Sequence, residues 1–250
     1  MKAPQTPREL SWMPIFNPIE KQFRAPRERL SARLEAVLEE VGRCDWLVDL
    51  CADHARLSIA AVARGQARRA LAIDLHQAPL VQARRHLRDA NLLERVLLLR
   101  GDGLAVLRPA KRGERTLVIA GVGGDLAAQL LERSRDAANA DRIVIQPERH
   151  AREARAWMRA NGFHLASERL VAEGRRLHLI LRFERARGID PSYGAHPLEA
   201  ELQLGPRLLL SSEPTARAWL AREHARLKKL AGKRADLEPA RALLELLFRR

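Results

Sequence analysis

From about residue 27 to residue 183 the chain switches repeatedly between two hydrophobic periods. Leu30, Leu34, Val37, Leu38 and Val41 recur at helical spacing. They form the stripe of an amphipathic helix over 27–42, and Gly42 stands where such a helix stops. Short apolar runs follow at 46–50, 70–73, 96–99, 117–120 and 143–145, each of strand length. Helical patterns separate most of them: one begun near His54 and continuing through 58–63, then 78–90, 125–133 and 152–160, the last closed by Asn161-Gly162. Two further strand patterns, 163–171 and 177–183, are separated by Glu173-Gly174-Arg175, which reads as a hairpin. Regular strand–helix alternation predicts an α/β fold with a parallel, doubly wound sheet, here closed by an antiparallel hairpin.

The pattern changes at both ends. Residues 1–26 are Pro-rich and irregular and read as an extension. Gly188, Pro191, Gly194 and Pro197 mark 184–197 as a linker. Beyond it, Trp219, Leu220, Leu227 and Leu230 lie in a charged helical segment over 216–231, and Leu237, Leu243, Leu244, Leu247 and Phe248 in another over 237–248. The predicted organisation is an extension over 1–26, an α/β domain over 27–185 and a small helical, coiled-coil-like unit over 198–250. A chain of 250 residues, 46% of them hydrophobic, can fill one full core and a small second one.

Charge and cysteine usage narrow the function classes. The apolar runs fall far short of a membrane span, and no apolar stretch follows Met1-Lys2, so no signal peptide is read and a cytoplasmic protein is expected. Two cysteines, Cys44 and Cys51, support neither a disulfide framework nor a zinc site, and the histidines have no metal spacing, so no metal is expected. A net charge of +14 draws polyanions. Aromatic residues are only 4% of the chain, too few to stack many single-stranded bases; were the polyanion RNA, a folded form read by shape and backbone would fit better than a single strand.

In an open parallel sheet the ligand lies beyond the carboxyl ends of the strands, where the strand order reverses, and four candidate pieces stand at such ends. Asp49-Leu50-Cys51-Ala52-Asp53-His54 follows the first strand and offers acids and helix-start N–H donors to a cofactor bearing carboxylate and ammonium groups. Asp74 ends the second strand, where an acid can accept both hydroxyls of a ribose. Gly101-Asp102-Gly103 follows the third; the Asp can bond the exocyclic amine of an adenine. Ala120-Gly121-Val122-Gly123-Gly124 follows the fourth, with glycine enough to let cofactor and substrate meet. An Asp at a strand end is also an ordinary helix cap; the ordered set of four is what points to a site. No G-x-G-x-x-G follows the first strand, which argues against a dinucleotide enzyme. A Rossmann-like sheet ending in an antiparallel hairpin is, by fold analogy, the class I methyltransferase form.

These residues resemble the TrmK family of bacterial tRNA (adenine-N1)-methyltransferases. The family pattern D-I-G-S-D-H-A-Y-L-P is matched by Asp49-Leu50-Cys51-Ala52-Asp53-His54-Ala55-Arg56-Leu57-Ser58, G-D-G-L by Gly101 to Leu104, I-A-G-M-G-G by Ile119 to Gly124, and Q-P-N by Gln146-Pro147-Glu148. L-S-x-R-L matches Leu30 to Leu34, and F-G-P-x-L-L resembles Leu204 to Leu209. The resemblance implies S-adenosyl-L-methionine as methyl donor, tRNA as partner and methyl transfer to N1 of an adenine. It implies cofactor contacts from Asp49, Cys51, Asp74, Gly101, Asp102, Gly103, Ala120 and Gly121. It implies substrate contacts from His54, Gly123, Gly124, Gln146 and Pro147, with Asp53 nearest the target base as the catalytic candidate. Arg152, Arg155 and Arg159, and Arg222, Arg226, Lys228, Lys229, Lys233 and Arg234, are candidates for phosphate contacts.

Cys51 stands where the family has glycine and Glu148 where it has asparagine. A Cβ at a left-handed glycine position costs roughly 1–2 kcal/mol. Two alternatives stay open at this point: an RNA-binding relative without catalysis whose cofactor pocket is impaired, and a class I methyltransferase acting on a protein or a small molecule.

Overall fold

The structure is a computed structural model and describes residues 29–102, 113–133, 139–230 and 232–249. The extension over 1–26 and Gly103 lie outside the described residues. Of the helix expected over 27–42, the described part begins at Ala32 (α1, Ala32–Val41), because Ser31 caps it: the Ser31 hydroxyl accepts from the Leu34 N–H at 3.4 Å. Gly42, at φ 64°, ends it.

Seven strands form one sheet: β1 (Cys44–Leu50), β2 (Ala67–Asp74), β3 (Val96–Arg100), β4 (Arg115–Val122), β5 (Arg142–Pro147), β6 (Phe163–Glu173) and β7 (Arg176–Arg185). Their order is β3-β2-β1-β4-β5-β7-β6. The first five are parallel, and β7 runs antiparallel to both β5 and β6. The predicted hairpin is therefore the sheet's closing edge, with β7 inserted between β5 and β6. Helices α2 (Arg56–Ala63), α3 (Gln77–Asp89), α4 (Gly124–Glu132) and α5 (Ala151–Ala160) are the crossovers.

Side chains alternate between the two faces. On β4 and β5, Leu117, Ile119, Ile143 and Ile145 join one core with Leu130 and Leu131 of α4 and Met158 of α5. Val118 and Val144, between them, join a second core with Val37, Leu38 and Val41 of α1, Val62 of α2 and Leu87 of α3. Central strands buried on both faces explain why their sequences are continuous apolar runs.

The chain after β7 is tied down. Asp190 accepts from the Leu165 N–H at 2.8 Å and the Ser192 N–H at 2.9 Å, and Glu201 accepts from the N–H groups of Gly194 and His196. Helices α6 (Leu198–Leu204), α7 (Pro206–Leu210), α8 (Pro214–Lys229) and α9 (Glu238–Phe248) share a small core of Ala200, Leu204, Leu209, Leu220, Leu227, Leu237, Ala240 and Leu244. Leu208 and Ala216 reach back into the core of the sheet.

A buried ion pair fastens these helices to the sheet. Arg155 of α5 sits 2.8 Å from Glu168 of β6, and neither side chain is exposed. Arg155 also donates to the Leu202 carbonyl at 2.8 Å, while Glu168 accepts from the N–H groups of Arg207 and Leu208 at 3.0 and 3.1 Å. Arg155 is therefore not available to a phosphate, contrary to its reading from the helical charge pattern. Its neighbour Arg152 pairs with Glu199 at 2.6 Å, and Arg159 lies over the Tyr193 ring at 5.7 Å. Of the basic residues near the C-terminus, Arg226 pairs with Glu223 and Arg234 with Asp236, whereas Arg222, Lys228 and Lys229 are exposed on α8.

Candidate active site

The strand order reverses at β1, which lies between β2 and β4. The four candidate pieces end β3, β2, β1 and β4 and so stand side by side along one rim, where parallel-sheet ligands bind.

Asp74 organises the left half of this rim. One carboxylate oxygen accepts from the Asp53 N–H at 2.9 Å and the other from the His76 N–H at 2.8 Å. The Asp74 carbonyl accepts from Gly101 N–H at 3.0 Å, which brings the end of β3 alongside. Each carboxylate oxygen carries two lone pairs; Oδ1 also meets the His76 ring nitrogen Nδ1 at 3.3 Å, so among the described residues it is Oδ2 that keeps one after holding the backbone.

The loop after β1 is wound tightly. Cys51, Asp53 and Ala55 take φ of 57°, 51° and 53°, a left-handed conformation at alternate positions that side chains rarely adopt. Two features hold it: the Asp74 carboxylate on Asp53, and a cluster of small side chains, Ala55, Ala72 and Ala83, with Ala52 against them. The Ala52 N–H reaches the Ile73 carbonyl at 3.0 Å, an approach that larger side chains would block. The family's glycine position is thus left-handed here, and Cys51 bears the strain while its side chain packs against the main core. Burial pushes the Cys51 thiol up to about 11, and the nearby Asp74, Asp49 and Asp102 carboxylates add to the effect.

The two acids of this loop differ. Asp49 is buried beneath the rim, accepts from the Ser58 hydroxyl at 2.8 Å, and is pushed up to about 7 by desolvation. The Asp53 side chain is 67% exposed, 3.5 Å from the His54 imidazole. Asp102 is exposed, with Arg133 at 3.5 Å.

The right half of the rim is built around Gln146, which is fully buried at the end of β5. Its amide oxygen accepts from Arg33 of α1 at 2.7 Å and from the Gly121 N–H at 3.1 Å. Two donors on the oxygen fix the amide orientation, and the amide nitrogen donates to Glu148 at 3.1 Å. The Glu148 N–H reaches the Val122 carbonyl at 2.8 Å, so the ends of β4 and β5 stay joined past the irregularity between Ala120 and Val122. Pro147 is buried and ends β5. Gly121 is left-handed, at φ 79°. Gly124 serves packing: its N–H bonds the Arg149 carbonyl at 2.8 Å, and a Cβ would collide with the backbone of His150. Gly123 caps α4.

Two residues of this half, Arg33 and His178, were not singled out from the sequence. His178 of β7 is almost buried, with Glu148 at 3.7 Å on one ring nitrogen and Glu173 at 3.5 Å on the other. Arg33 lay inside the L-S-x-R-L match. His178 sits within an ordinary strand pattern, and nothing local distinguishes it.

Sheet order, closing hairpin and strand-end rim together define a class I methyltransferase fold. Residues 30–181 match the family described as a methyltransferase domain. Over 182 residues the chain is 32% identical to the tRNA (adenine(22)-N(1))-methyltransferase of Bacillus subtilis (strain 168), covering 72% of this chain and 75% of that one. The chain belongs to this methyltransferase family. Solved structures agree: that of the Bacillus subtilis tRNA methyltransferase TrmK superposes with a TM-score of 0.74 at 25% identity, covering 88% of this chain and 96% of that one. That of the Streptococcus pneumoniae protein Sp1610 in complex with S-adenosyl-L-methionine does so with a TM-score of 0.77 at 26% identity, covering 88% and 99%. Among the described residues no group of His, Cys, Asp or Glu is placed to hold a metal ion, and no helix is long and apolar enough to cross a membrane.

Proposed function

We propose that this protein transfers a methyl group from S-adenosyl-L-methionine to N1 of an adenine in tRNA. The observation that carries the reading is the identity to a tRNA (adenine(22)-N(1))-methyltransferase over three quarters of that protein's length, and the rim residues supply the chemistry it needs.

Bound on the rim, the cofactor supplies an electrophilic methyl group on a sulfonium. Asp74, at the end of β2, is assigned the ribose hydroxyls. Gly101 and Asp102 border the adenine position at the end of β3, and Ala120 and Gly121 the point where cofactor and base meet. Cys51 shapes the loop through its backbone. Asp49 acts from beneath, through Ser58 and the loop. Asp53, the exposed acid of the left half, is assigned the edge of the incoming adenine beside His54. Gln146, Pro147 and the Gly123-Gly124 turn form the opposite wall. Adenine N1 carries its own lone pair, so alignment of base and methyl is the main task, and a base held in a folded stem has to leave its stack first. The exposed cations of α8 are assigned the tRNA backbone, and the cytoplasm, where tRNA is modified, is the compartment this reading assigns.

Calorimetric titration of S-adenosyl-L-methionine into the natural protein and into Cys51→Gly, followed by nucleoside analysis of tRNA, tests the reading. Expected are binding by both proteins and appearance of N1-methyladenosine. Binding by neither protein, or methyl incorporation elsewhere than N1 of adenine, overturns it. Binding only after Cys51→Gly selects the RNA-binding relative with an impaired pocket.

A further inference from the structure

Glu148 holds a carboxylate at the edge of the site, where a main-chain strand end alone would have sufficed. Its position is fixed from two sides. Gln146, itself locked by Arg33 and Gly121, donates to Oε1, and His178 approaches the same oxygen at 3.7 Å. The far nitrogen of His178 is held by Glu173 at 3.5 Å. Both contacts engage Oε1; among the described residues Oε2 has no hydrogen bond or ion pair, and the side chain is 40% exposed. A surface glutamate in a strand-end turn is free to rotate, whereas this one is held through Oε1, and its backbone N–H is tied to the Val122 carbonyl at 2.8 Å.

The reaction gives such an oxygen a purpose. As the bond from N1 to the methyl carbon forms, the methyl–sulfur bond breaks and its electron pair stays on sulfur. The positive charge leaves the sulfonium and appears on the adenine ring, and no proton has to leave. A fixed negative charge at the ring edge is worth more in the transition state than in the ground state, when the base is neutral.

We propose that Glu148 is a base-contacting residue whose Oε2 accepts from the exocyclic amine of the target adenine and stabilises the positive charge that forms on the ring, with Gln146 and His178 as its positioning residues. The proposal rests on the adenine-N1 reading above. It also accounts for a carboxylate where the family pattern has a neutral asparagine.

The test compares Glu148→Gln, which removes the charge and keeps the shape, and Glu148→Asn with the natural protein in three measurements. These are calorimetric binding of S-adenosyl-L-methionine, kcat for N1-methyladenosine formation in saturating tRNA, and the ratio of affinities for methylated and unmethylated tRNA in the presence of S-adenosylhomocysteine. Expected is unchanged cofactor binding with kcat lowered about tenfold, below the roughly hundredfold or greater loss of a fully buried electrostatic contact because solvent screens this one. The preference for the cationic methylated tRNA falls severalfold in both variants. Unchanged kcat and affinity ratio in Glu148→Gln overturn the proposal, as does loss of cofactor binding in both variants, which would make Glu148 a structural residue. A natural protein that binds the cofactor but forms no N1-methyladenosine removes the adenine-N1 reading itself, and the proposal with it.

Discussion

Replacing Asp74 by asparagine tests whether one carboxylate builds the left half of the site. The side chain is 10% exposed, and its two oxygens hold the Asp53 and His76 N–H groups at 2.9 and 2.8 Å. Asparagine keeps the size but has one oxygen. Whichever way the amide turns, its NH2 meets a backbone N–H, so one hydrogen bond is lost and the other changes from charged to neutral. A hydrogen bond to a charged group contributes roughly 1.5–3 kcal/mol and the weakening of the second about 1 kcal/mol, so the loss is about 2.5–4 kcal/mol. For a chain of this size that lowers Tm by on the order of 5–15 °C. The left-handed Asp53 loses its tether, so the loop over 51–55 loosens and S-adenosyl-L-methionine binding weakens at least about tenfold, equivalent to about 1.4 kcal/mol. Thermal unfolding of the protein without cofactor reads the first effect and calorimetry the second. A variant with Tm within about 1 °C of the natural protein, or with undiminished cofactor affinity, refutes the argument that Asp74 both holds the loop and accepts the ribose.

Two further perturbations address buried charge. Asp49 is an acid held above its usual range, to about 7, by burial, so the folded protein keeps a proton that the unfolded chain has already released between about pH 4 and pH 7. Stability therefore falls as pH rises through that window and levels off above it. Urea midpoints near pH 5 and near pH 8 should differ more in the natural protein than in Asp49→Asn; equal differences would contradict the assignment. Arg155→Ala leaves Glu168 charged and buried and frees the Leu202 carbonyl, a change expected to cost about 3–5 kcal/mol and to expose 186–213 to protease. A loss under about 1 kcal/mol in thermal unfolding would show that the pair holds little.

The strand–helix order, the closing hairpin and the placement of Asp49, Asp74, Gly101 and Gly121 at strand ends were legible in the sequence, because hydrophobic period and turn residues are local and a parallel sheet turns their order into positions along one rim. The family pattern added the pairing of Asp53 with the target base as an expectation. Other features depend on residues far apart in the chain. Arg33 meets Gln146 across 113 positions, and no local pattern links them. His178 reads as one more strand residue until β7 inserts between β5 and β6 and brings it to Glu148. Arg155 reads as one of a row of surface cations on α5, and only the docking of α6 and α7 over that helix buries it against Glu168. Asp49 and Asp53 look alike in sequence, four residues apart. Burial raises one toward neutrality while the other stands exposed on its backbone tether to Asp74, because solvation is decided by what the whole fold lays over a residue.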